Sequence, residues 1–134
     1  MRRPFLVFLM LLMLLGMCSC ASGDVTIDYG ESALYSKSDM DAAIKAIRKT
    51  FDTFDGCTLY SLSYAGDEAA EKNLSYCQSL SEDRQVTQCM VFDSSFRSPR
   101  NGGGAWEADR EYTWTWYLAR GMTGNWVLLT YGYA

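Results

Sequence analysis

At 134 residues the chain is the length of one domain, and its sixteen Asp and Glu against twelve Lys and Arg give a formal net charge of −4 with no basic cluster, which argues against a nucleic-acid partner. There is no histidine, so the usual general base at neutral pH, the commonest metal ligand and any Ser-His or Cys-His nucleophile pair are all missing. Nothing in the composition calls for a metal or another cofactor.

In chain order, Arg2 and Arg3 precede an apolar run of thirteen residues, Phe5 to Met17, too short for the roughly 20 residues that span a bilayer and suited to an export signal over residues 1–19. The run ends in Leu15-Gly16-Met17-Cys18-Ser19-Cys20, which resembles the lipobox of bacterial lipoproteins. The resemblance implies lipid attachment at Cys20, which follows the small Ser19, although Met17 stands where Leu is usual. The expected address is the outer face of the cell membrane. Removal of residues 1–19 leaves 115 residues with ten basic and sixteen acidic side chains, enough for one domain burying about two thirds of its unfolded surface. Residues 20–34, rich in Ser, Gly and Asp, read as a flexible tether, and 35–134 as a single domain.

Ser36-Lys37-Ser38-Asp39 has capping-box spacing with Asp in place of Glu, and Ser38 is an equally good cap. Met40, Ile44, Ile47, Phe51 and Phe54 follow at steps of four, three, four and three, the single apolar stripe of a helix running to Phe54. Cys57 to Ala65 alternates as a strand. Gly66 to Leu80 carries a weak apolar helical face. Arg84 to Phe96 is apolar on both sides and reads as a central strand. Ser98 to Gly104, with one proline and three consecutive glycines, is a loop. It is no phosphate cradle, since a strand and no lysine follows it.

The last thirty residues, Ala105 to Ala134, hold all four tryptophans and four of nine tyrosines, and read as a long antiparallel hairpin broken at Arg120 to Asn125. Its first arm alternates a bulky side, Trp106, Tyr112, Trp114 and Trp116, with an acidic and small one carrying Glu107, Asp109 and Glu111. The sum is an α+β fold in which an N-terminal helix packs on a curved, mainly antiparallel four-stranded sheet, in the order α-β-α-β-β-β. Cys57, Cys77 and Cys89 allow three pairings if one disulfide forms outside the cytoplasm.

Tyr35-Ser36, Ala43-Ile44, Phe51, Phe54, Gly56-Cys57-Thr58-Leu59, Tyr64, Tyr112-Thr113, Trp114, Trp116, Leu118, Arg120, Trp126 and Tyr131-Gly132-Tyr133 together resemble a group of uncharacterised lipoprotein domains typical of Gram-positive gut bacteria. The resemblance covers Tyr35 to Tyr133 and implies a cone of sheet around a helix, cystatin-like or nuclear-transport-factor-like. It transfers no activity and no functional residue.

Two functions follow. The first is a non-catalytic module on a membrane-anchored lipoprotein, binding an envelope protein, a peptide or a glycan, with Trp106, Asp109, Glu111, Tyr131 and Tyr133 as its candidate contacts. The alternative is a small hydrolase or isomerase using carboxylates and tyrosine, because Asp109 and Glu111, two apart on a strand, share a face and act as acid and base if burial separates them. Inhibition of an envelope enzyme, known among cystatin-like folds, lacks any matching loop motif here.

Overall fold

Ser36, not Ser38, starts the long helix α1 (Lys37–Phe51): its hydroxyl accepts from the Asp39 N–H at 3.1 Å while the Asp39 carboxylate accepts from the Ser36 N–H at 3.3 Å. This closes the capping box and satisfies two otherwise orphaned donors. Met40, Ala43, Ile44, Ile47 and Phe51 are buried along one side, as their spacing requires. The helix stops one turn short of Phe54, which sits in the following turn with its N–H bonded to the Phe51 carbonyl. The computed structural model describes residues 24–81, 85–122 and 124–133. The expected signal at 1–19 and Cys20 lie outside the described residues.

The helix packs on one five-stranded sheet built from β1 (Thr26–Asp28), β2 (Thr58–Tyr64), β3 (Gln88–Arg97), β4 (Glu111–Arg120) and β5 (Val127–Gly132), paired in that order. β2 to β5 are antiparallel neighbours, and β1 runs parallel to β2. The α+β class is as expected, but the sheet is mixed and has five strands rather than four. The fifth comes from the supposed tether. Val25, Ile27 and Tyr29 alternate toward the core, and Ser32 and Ala33 are held by the Asp67 carboxylate at 2.6 and 2.7 Å. From Asp24 onward the segment is therefore part of the domain, because β2 offers a ladder edge that those three apolar residues cover.

The weak helix is two short ones, α2 (Asp67–Lys72) and α3 (Leu74–Ser79), separated at Asn73, whose side chain donates to the Ala69 carbonyl at 2.8 Å. They cover part of the other sheet face, enclosing a second core of Cys77, Val86, Cys89, Val91 and Ala119. β3 is thus apolar on both sides where both sides are covered. It pairs with β4 without interruption from Gln88↔Arg120 to Arg97↔Glu111.

The first arm of the hairpin begins at Glu111, five residues later than the expected start at Trp106. Gly102, with φ 69°, lies so close to the Trp106 carbonyl that a Cβ there would meet it at 3.0 Å. Gly103 and Trp106 bond each other's backbones, and the Ser98 hydroxyl donates to the Glu107 carbonyl at 2.5 Å. These bonds commit 98–110 to a closed loop.

Arg120 joins the two layers. Its guanidinium donates to Asp39 at 2.9 Å and to Gln88 at 2.8 Å, and lies 4.5 Å over the Trp126 ring. Burial works against the Asp39 charge, but the bonds from Arg120 and Ser36 outweigh it and hold the carboxyl below its ordinary 3.8. A carboxyl depressed by folding stabilises above its unfolded pKa, and that contribution fades as the pH falls through the folded value. Accordingly, D39N should be less stable than the parent at neutral pH, with the gap closing as the pH falls below the ordinary carboxyl value of 3.8. Urea titrations from neutral pH down through that value measure it, and a gap that stays constant would contradict the assignment.

Candidate functional site

Beyond the C-terminal end of α1 the same sheet face is filled by aromatic rings. β4 brings Trp114 to the middle of this group, with Phe96 at 5.1 Å, Trp106 at 5.5 Å, Tyr131 at 5.7 Å, Phe54 at 5.9 Å and Tyr133 at 5.9 Å between ring centroids. Register explains the placement. Trp116 pairs with Tyr131, so the tyrosine ring stacks on the Trp116 ring at 4.8 Å and on Trp114 beside it. β5 then ends at Gly132, whose φ of 153° suits glycine and takes Tyr133 out of the ladder and over Tyr112 and Trp114.

Exposure divides the cluster. Trp116 is fully buried, and its indole N–H donates to the Ser94 hydroxyl at 2.7 Å. Tyr131 is 41% exposed and Tyr133 71%. Trp106 is not presented to solvent as a platform. It is wedged among Phe54, Phe96, Tyr112 and Trp114, half-buried, by the loop that Gly102 closes. Arg110 packs its guanidinium 5.5 Å from the Tyr112 ring and pairs with Glu107.

The two carboxylates do not form the expected pair. Asp109 precedes β4 in a left-handed turn, φ 48°, a conformation Asp tolerates better than most residues, and Arg97 bonds both its carbonyl and its carboxylate, at 2.9 and 3.3 Å. Glu111 opens β4 opposite Arg97. Both acids are exposed, so neither has the burial that would set one apart from the other as an acid-base couple.

Three of the five sequence-derived candidates, Trp106, Tyr131 and Tyr133, therefore meet around Trp114, and two stand apart beside Arg97. Trp114 itself reads as plain core in the strand alternation, which shows the face of a side chain but not where the covering helix ends. A cavity of about 260 Å³ borders the cluster at the end of β5, lined by Asp93, Ser94, Thr113, Trp114, Thr115 and Tyr133. A larger cleft, about 500 Å³, lies at the opposite end of β4 by Val86, Arg120, Gly121 and Met122, and nothing in the sequence signals it. Among the described residues no helix is long and apolar enough to cross a membrane, and no three Asp, Glu or Cys side chains gather as metal ligands would. No family model, curated protein or solved structure matches the chain.

The cluster separates a structural tyrosine from a spare one. Y131A should lower the unfolding free energy by about 2 kcal/mol through lost stacking, whereas Y133A should change it by less than about 0.5 kcal/mol. Equal losses in urea unfolding would show that Tyr133 is also part of the core.

Proposed function

We propose that the chain is an exported lipoprotein, anchored through Cys20 to the outer face of the cell membrane, whose domain is a non-catalytic module binding an envelope glycan. The observation that carries the ligand class is the exposed pair Tyr131 and Tyr133, both backed by Trp114 and one of them walling a small cavity with hydroxyls and a carboxylate. Flat rings present apolar faces to the C–H side of a sugar ring. The two tyrosine hydroxyls supply the few polar partners that orient such a ligand. Because Trp114 and Tyr112 already hold the two tyrosines in place, binding loses little side-chain freedom. The acidic exported part, with ten basic against sixteen acidic residues, favours a neutral or amino sugar over a polyanion.

The lipobox and the short apolar run before it support the address. One long helix against a mainly antiparallel sheet supports kinship with the cystatin-like or nuclear-transport-factor-like cones. The hydrolase or isomerase alternative has less to rest on, since Asp109 and Glu111 stand in solvent and apart from the tyrosines.

Titration of the full chain in mild detergent with neutral cell-wall oligosaccharides, followed by tryptophan emission, should saturate, and Y133A should weaken the response roughly tenfold, the equivalent of one stacking contact. No saturation with any glycan, or full affinity in Y133A, would end the glycan assignment. Separately, C20A should move the protein from the membrane to the soluble fraction; retention at the membrane would remove the anchor from the proposal.

A further inference from the structure

Two of the three cysteines that follow Cys20 come together in the second core. Cys77 lies on α3 and Cys89 is the second residue of β3; both are buried, at 0% and 1% exposure, and their sulfurs are 2.8 Å apart. Cys57 is placed elsewhere, half-buried against the core beneath α1. The approach of α3 to β3 is fixed on both sides of the pair. Gln78, next to Cys77, donates to the Val86 carbonyl at 3.0 Å. The Tyr35 hydroxyl donates to the Cys89 carbonyl at 2.7 Å and accepts from its N–H at 3.2 Å. Both sulfurs are enclosed, and the bond length of about 2.05 Å is a short approach from the contact distance.

We propose that Cys77 and Cys89 are joined by a disulfide in the exported protein, with Cys57 left as a free thiol. The step is thiol–disulfide exchange with a disulfide oxidant, either a protein dithiol oxidase or a low-molecular-weight disulfide. The thiolate of one cysteine attacks an oxidant sulfur, releasing the first oxidant thiol and leaving a mixed disulfide. The second cysteine, as its thiolate, attacks the protein sulfur of that intermediate and releases the second oxidant thiol. Two protons and two electrons pass to the oxidant, and one S–S bond forms for the one broken.

In the folded chain the hydrogen bond to Cys77 and burial push the Cys89 thiol up, and no oxidant reaches either sulfur. The bond therefore forms while the chain folds, before α3 closes over β3, and is then sealed against reductants. It closes a loop over 77–89 and staples the two short helices to the sheet, on the face that α1 does not cover. Helices of six residues have little stability of their own.

The full chain, in mild detergent, is refolded in a glutathione redox buffer, alkylated and digested with trypsin. This separates Cys57, Cys77 and Cys89 into fragments 50–72, 73–84 and 85–97. The expected product is fragment 73–84 joined to 85–97, two hydrogens lighter than their sum, with Cys57 alkylated. The cross-link should persist in C57A and should resist dithiothreitol until urea is added. Reduction should lower the melting temperature by roughly 10 °C. Three alkylated cysteines, a link through Cys57, or identical melting of oxidised and reduced protein would each overturn the proposal. The glutathione titration needs no membrane or export, so its outcome is independent of the address proposed above.

Discussion

One helix of fifteen residues has to cover a sheet whose central strands are ten residues long, and the rest of the molecule follows from that mismatch. At 1.5 Å per residue α1 reaches about 22 Å, while β3 and β4 run about 33 Å. Even laid along the strands the helix leaves about a third of their length bare. Phe54, Trp106, Trp114, Tyr131 and Tyr133 occupy that remainder, and large rings fill it where helical turns would otherwise lie. The tryptophan density of the C-terminal hairpin has this geometric cause. Trp116 marks the border, fully buried beneath both the helix end and the rings, with its one donor satisfied by Ser94.

The opposite face repeats the problem at smaller scale. Two six-residue helices cover the end of the sheet near Cys89 and Ala119. Past them the side chains turn polar, with Ser61 bonded to Ser95, Thr115 to Asp93 and Arg97 to Asp109. Cross-strand hydroxyl pairs and an exposed ion pair contribute little to stability. Their value is that they leave no apolar strip open to water.

What the sequence made legible was local. The Met40 to Phe51 stripe, the Ser36–Asp39 cap and the two-sided apolar character of Val91 and Phe92 are set by neighbours within a few positions, and helix α1 and central strand β3 follow from them. What stayed hidden depended on distant partners. β1 is three residues long and exists because β2, some thirty residues on, offers it an edge. The loop over 98–110 swallowed the first residues of the supposed strand because Ser98 reaches across to Glu107 and Arg110, so alternation carried through a turn gave Asp109 a strand position that it does not have. The candidate site behaved the same way. Tyr131 and Tyr133 stand out by residue type, but Trp106 wedged inward and Trp114 at the hub depend on where α1 ends.

β1 would also limit how far the domain could stand from its proposed anchor. Cys20 stands six residues before Thr26, and at most about 3.6 Å per residue gives a leash of about 22 Å. The sheet edge at β1 would ride close to the bilayer. β5 is the other edge of the same sheet, four strand spacings or about 19 Å away, and it carries Tyr131 with Tyr133 just beyond it. On the anchored reading, a leash of about 22 Å and a sheet about 19 Å wide would keep the aromatic edge within about 40 Å of the bilayer, within reach of polymers that lie against the membrane and out of reach of those farther off.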